Sequence, residues 1–170
     1  MVYLGIGSNL SSEYGDRFFN INLSISYLES YGIKTIKMSS FYETPSYPNK
    51  NNPKFINVVI EVDTKLPPED LASVLLYVEQ KMGRTRFKKN DPRICDIDIL
   101  DYNNQVINFN YGGYDFVVPH KELKNRNFVL FPLIEICPNW IHPDNKQNID
   151  TLINNLSKED RKSILKIENN

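Results

Sequence analysis

The chain is poor in the residues that most often announce a site. Cysteine occurs twice in 170 residues, as Cys95 and Cys137, both in apolar surroundings and without metal-ligand spacing. They read as reduced, buried thiols, which points to the cytoplasm. Charge of either sign is not in excess: the formal net charge is −1, which argues against a general nucleic-acid binder. No apolar run approaches membrane-spanning length, so no membrane partner is expected. The start, Met-Val-Tyr-Leu-Gly-Ile-Gly, has neither the basic region nor the long apolar core of a signal peptide. Glycine is sparse too. Gly5-Ile6-Gly7 begins a dinucleotide loop, but its third glycine is replaced by Leu10. A Gly-x-x-x-x-Gly-Lys-Ser/Thr loop is also missing, so a nucleotide would have to be held another way.

What remains is ordinary in bulk, at 41% hydrophobic and 24% charged residues. The length suits one domain over residues 1–170 with a real core. The unusual stretch runs from Gly83 to Leu100. Arg84, Arg86, Lys88, Lys89 and Arg93 crowd together, and then Asp96 and Asp98 stand two apart. Cys95, Ile97 and Ile99 alternate with the aspartates, which is a strand pattern. On a strand, residues two apart share a face about 6.6 Å apart. Alone, such a pair is commonly the solvated face of a strand. Beside a basic loop it suits Mg²⁺, which prefers oxygen ligands and shares them with phosphates. The cations could hold the phosphate oxygens left uncovered. Phosphoryl transfer is the chemistry this combination suggests.

Along the chain, Tyr3 to Gly7 reads as a first strand, followed by a helix from Asp16 as N-cap to about Ser30. Its stripe is Phe18, Ile21, Ile25 and Leu28. Thr35 to Tyr42 reads as the second strand, and the proline-rich loop Glu43 to Lys54 is long enough to be a lid. Phe55 to Thr64 is a strand that sets Phe55 beside Asn57. An aromatic next to an amide could bind a flat heterocycle, or be plain packing. A second helix starts near Pro68, buries Leu71, Val74, Leu75, Val78 and Met82, and ends at Gly83. Glu79 falls off that stripe, as a solvated acid would. After the Asp strand come a hairpin with its tip near Asn110 to Asp115, then Pro119-His120, and an apolar helical turn of Phe128, Phe131 and Ile134. His120 is open to reading as an acid, a phosphate donor or a packed surface residue. A short helix from Ile149 and a polar end from Ser157 close the chain. Strand–helix–strand–strand–helix–strand is the order of an α+β, ferredoxin-like βαββαβ antiparallel sheet, here with helices on one face, an added hairpin and C-terminal helices.

Several short motifs then fall in a telling order. They are Gly7-Ser8-Asn9, Ser40-Phe41-Tyr42-Glu43-Thr44-Pro45, Phe55-Ile56-Asn57, and Glu79 with Gly83-Arg84. Pro92-Arg93-Ile94-Cys95-Asp96-Ile97-Asp98, Val118-Pro119-His120 and Lys124-Asn125-Arg126-Asn127-Phe128 follow. In this combination the chain resembles the 6-hydroxymethyl-7,8-dihydropterin pyrophosphokinases of folate biosynthesis, over about residues 3 to 145. The resemblance implies a ferredoxin-like fold and transfer of pyrophosphate from ATP to the pterin hydroxymethyl group, giving AMP. It implies two Mg²⁺ ions on Asp96 and Asp98, with Arg84, Arg93, His120 and Arg126 as further catalytic residues. It implies a pterin site of Thr44, Pro45, Tyr47, Phe55, Asn57 and Phe128. Nucleotide contacts would come from Glu79, Arg84, Arg86, Arg93, Ile99, His120 and Lys121. The protein is expected to act as a monomer. The chain departs from the common pattern at Phe55, where tyrosine is usual, and at Lys121, where tyrosine often follows Pro-His. Another Mg²⁺-dependent phospho- or nucleotidyltransferase on the same fold is the alternative, and a ferredoxin-like RNA-binding module comes third.

Overall fold

The computed structural model describes residues 1–46, 48–83 and 92–168. Alternating apolar residues give a long central strand, β1 (Val2–Ser8), buried along almost its whole length. It lies between two antiparallel partners, β4 (Phe55–Asp63) and β5 (Asp96–Tyr102). Between them in sequence come α1 (Arg17–Ser30), β2 (Lys34–Met38), β3 (Phe41–Thr44) and α2 (Pro68–Lys81). Asp16 caps α1 by accepting from the Phe19 amide at 2.9 Å, as expected of an Asp at that position. Gly83, at φ +94°, follows α2 in the left-handed region that glycine occupies without strain. The strand order β5–β1–β4, with β2 and β3 both on the far side of β4, is that of a ferredoxin-like sheet.

The expected single strand Thr35 to Tyr42 is broken. Met38 faces Ile60 and Tyr42 faces Asn57, so one extra residue is accommodated between β2 and β3. Ser39 covers the gap: its amide donates to the Val59 carbonyl at 2.9 Å, and its hydroxyl accepts from the Val59 amide at 3.0 Å. The Ser40 amide, freed from the ladder, donates to Glu135 at 2.9 Å.

Both faces of the sheet are covered, where helices on one face alone are expected. Leu4, Ile6, Val58, Ile60, Ile97 and Ile99 point to one side and pack with Ile21 and Leu28 of α1 and Leu71, Leu75 and Val78 of α2. On the other side Tyr3, Val59 and Leu100 meet α3 (Asn127–Ile136) and α4 (Ile149–Asn154). The buried stripe of α3 is Val129, Leu130, Leu133 and Ile136, leaving Phe128, Phe131 and Ile134 only partly covered. The hairpin β6 (Ile107–Tyr111) and β7 (Tyr114–Val118) turns through Gly112 and Gly113, both at positive φ. The polar end forms α5 (Lys158–Lys162) and then an unexpected strand, β8 (Leu165–Ile167), which pairs with β3.

Candidate functional site

Cross-strand register assembles the site on the α3 side of the sheet. Gly7 of β1 lies opposite Asn57 on one flank and Asp96 on the other, and Asn57 lies opposite Tyr42. Directly opposed residues share a face. Asp96, Gly7, Asn57 and Tyr42 therefore form one row, and Asp98, Gly5 and Val59 form the next. The two glycines leave no side chain standing between the aspartates and β4. A Cβ on Gly7 would come within 2.8 Å of Asn57 Oδ1 and 3.6 Å of the Phe55 ring. Asn57 is buried and donates through Nδ2 to Thr44 Oγ1 at 3.2 Å, which fixes its orientation.

Each aspartate is matched by an arginine that also lies over an aromatic ring. Arg93 donates to Asp96 at 2.9 Å, with its guanidinium 5.4 Å from the centre of the Phe55 ring. Arg126 Nη1 is 3.7 Å from Asp98, and its guanidinium is 5.5 Å from the centre of the Phe128 ring. The carboxylate pair and the aromatic pair are thus joined through two guanidiniums. Asp96 and Asp98 are half-buried rather than fully solvated.

His120 stands beside this group. Its Nδ1 accepts from the Glu122 amide at 3.0 Å, which leaves the proton of the neutral ring on Nε2, 3.5 Å from Arg126 Nη2. Burial, with the Arg126 charge next, pushes its pKa below the ordinary histidine value. The ring is a neutral donor near neutral pH. Lys121, next in sequence, is exposed.

Asn9 is a site residue that no spacing argument singled out. Its Oδ1 accepts from the Arg93 amide at 2.6 Å, and its own amide donates to the Arg93 carbonyl at 3.0 Å. Its Nδ2 reaches both Ser46 Oγ and the Pro53 carbonyl at 3.2 Å. One buried amide thereby ties the arginine to both ends of the loop that follows Thr44 and Pro45. It stands in the Gly7-Ser8-Asn9 motif, but spacing alone does not distinguish it from a turn asparagine.

A family model described as 7,8-dihydro-6-hydroxymethylpterin-pyrophosphokinase matches residues 3–138. The chain belongs to this family. A 2-amino-4-hydroxy-6-hydroxymethyldihydropteridine pyrophosphokinase of Aquifex aeolicus is 39% identical over 142 residues, covering 84% of this chain and 83% of that protein. A folic acid synthesis protein of Dictyostelium discoideum is 40% identical over 144 residues, but the chain spans only 20% of its length. A crystal structure of Plasmodium falciparum HPPK-DHPS with pteroate shares the fold, with a TM-score of 0.71 at 15% identity. That likeness covers 90% of this chain and 43% of the other.

Among the pyrophosphokinase residues expected from sequence, Thr44, Phe55, Asn57, Arg93, Asp96, Asp98, His120, Arg126 and Phe128 are linked by the contacts above. Pro45 follows Thr44 at the start of the loop. Glu79 and Ile99 are set apart from them. Ile99 points to the other face of the sheet, into the core packed by α1 and α2. Glu79, read as a solvated acid from its spacing, is buried on α2 at 2% exposure. Tyr47, Arg84 and Arg86 lie outside the described residues.

The donor set fits a hard divalent cation. Among the described residues no group of three or more His, Cys, Asp or Glu side chains could hold a metal alone. Two neighbouring carboxylates suit an ion that completes its shell with water and phosphate oxygens, as Mg²⁺ does.

Proposed function

We propose that this pyrophosphokinase transfers the β,γ-pyrophosphoryl group of ATP to the hydroxymethyl oxygen of 6-hydroxymethyl-7,8-dihydropterin. A bond forms between that oxygen and the β-phosphorus, the bond from the β-phosphorus to the α,β-bridging oxygen breaks, AMP leaves with that oxygen, and the hydroxyl proton is released. The observation that supports the reading is the register that puts Asn57 and Asp96 on the two flanks of Gly7, on one face of the sheet, with Asp98 in the next row.

In this reading the pterin stacks on Phe55 and Phe128, and its amide edge is read by Asn57 and the backbone near Thr44 and Pro45; Tyr47, expected to join them, lies outside the described residues. Burial of one flat face and a few fixed polar contacts is how such pockets gain specificity. Asp96 and Asp98 would hold the Mg²⁺ ions, two in number. When bound, the metal neutralises triphosphate charge and aligns attacking and leaving oxygens. Arg93 and Arg126 then turn their forks from the carboxylates towards phosphate oxygens, a bidentate match that lysine could not supply. Arg84 and Arg86 act with them. His120 donates its Nε2 proton to a phosphate oxygen, and Lys121 belongs to the nucleotide side; the buried Glu79 and the core-facing Ile99 are not assigned to it.

Two cysteines in all, Cys95 and Cys137, both in apolar surroundings, support a reducing compartment such as the cytoplasm. No helix among the described residues is long and apolar enough to cross a membrane.

The test is a nucleotide assay with ATP, Mg²⁺ and 6-hydroxymethyl-7,8-dihydropterin. AMP is expected only when all three are present, and it should vanish with a chelator. Formation of ADP would reduce the protein to a simple kinase and overturn the reaction assignment.

A further inference from the structure

The family match ends at residue 138, yet the chain beyond it is fastened to the elements that form the acceptor slot. Strand β8 runs along the outer edge of β3, with Phe41 opposite Ile167, Tyr42 opposite Lys166 and Glu43 opposite Leu165. These partners stop one residue short of Thr44, and Tyr42 is also the cross-strand neighbour of Asn57. At the other wall of the slot, Asn127 immediately precedes Phe128. Its Nδ2 donates to the Asp160 carbonyl at 2.7 Å and to Ser163 Oγ at 3.1 Å. A third contact joins Lys50, on the loop after Thr44, to Glu159 at 3.1 Å. That pair is exposed and contributes little energy, but it places α5 against the loop.

The same segment buries little of itself. Helix α5 has no buried residue, and Leu165 of β8 is 60% exposed. Ile167 packs against the core, but core packing does not account for the rest of a segment that buries so little while touching β3, the start of α3 and the loop after Thr44.

We propose that residues 157–168 are a brace for the pterin slot, and that Asn127 is the positioning residue through which their docking reaches Phe128. The proposal rests on the pterin reading of Phe55, Asn57 and Phe128. Coupling of this kind is reciprocal: if docking of the brace favours pterin, pterin must favour docking of the brace.

Asn127→Asp keeps the side chain's size and suits the first turn of a helix. It replaces a double donor with a carboxylate facing two oxygen acceptors. Titration calorimetry should show pterin affinity, measured with a saturating non-hydrolysable ATP analogue, falling by about five- to tenfold, the lower range of coupling between linked sites. Affinity for ATP should be unchanged. On the unaltered chain, pterin should slow backbone hydrogen exchange across residues 165–167. That second measurement decides the matter if the variant does not fold. A variant with a lower melting temperature but unchanged pterin affinity would overturn the proposal, as would exchange at 165–167 that ignores pterin. An unaltered chain that binds ATP but no pterin would remove the slot reading itself, a failure distinct from that of the brace alone.

Discussion

Gly7 and Asn57 compete for one volume: the oxygen of Asn57 lies 2.8 Å from where a Cβ on residue 7 would stand. The glycine is in an extended strand, so its role here is space rather than backbone freedom. Gly7→Ala should push Asn57 off the rotamer that Thr44 holds. Overpacking of this kind costs about 1–3 kcal/mol. A lower melting temperature and weaker pterin binding are expected, with ATP binding retained. Wild-type pterin affinity in Gly7→Ala would show that Asn57 does not read the acceptor.

The carboxylates should be separable from the fold. Asp96→Ala and Asp98→Ala each remove a partly exposed side chain from a strand edge, so circular dichroism should stay native. Turnover should fall by at least about two orders of magnitude, the loss typical of one preorganised charge contact. Turnover close to the unaltered rate in either variant, at saturating Mg²⁺, would refute the metal assignment.

Stacking gives a ligand-specific signature. Phe128 is only partly buried, so Phe128→Ala should leave the core on Val129, Leu130 and Leu133 in place. Loss of an aromatic platform costs about 1–3 kcal/mol per stacked ring. Pterin affinity should drop by that amount while ATP affinity holds. Equal losses for both ligands would count against the slot.

Acid should weaken the fold before the carboxylates titrate. Burial is the leading cause that lowers the pKa of both His120 and His142 below the ordinary histidine value. The unfolded chain then takes up protons at about pH 6.5, before the folded protein does. Stability should therefore rise with pH up to about 6.5 and level off above it, and the slope should lessen in His142→Gln. A melting temperature flat across pH 5.5 to 7 would contradict this, an interval set by the ordinary histidine pKa of about 6.5.

Much of this was legible in the sequence because the signals are local. The alternation around Asp96 and Asp98 set their shared face, and the stripe from Leu71 to Val78 set α2 against the sheet. What sequence did not give depends on partners far along the chain. Glu79 sits at a solvated position by spacing alone, and only the packing of α2 buries it. The break between β2 and β3 needs Glu135, distant in sequence, whose carboxylate takes the Ser40 amide and hydroxyl and the Tyr42 hydroxyl at 2.9, 2.7 and 2.6 Å. Burial acting alone would raise the Glu135 pKa, but those bonds, led by that of Tyr42, bring it below the ordinary value. Strand β8 has three residues, two of them exposed, and its pairing with β3 comes from the edge that β3 offers.

The account stands or falls on what the pterin receives. Phosphorus NMR of the pterin product, after incubation with ATP and Mg²⁺, reads this directly. Two coupled phosphorus signals on the hydroxymethyl oxygen, in step with AMP, are the predicted result. A single uncoupled phosphate on the pterin, or an unmodified pterin beside consumed ATP, would contradict it.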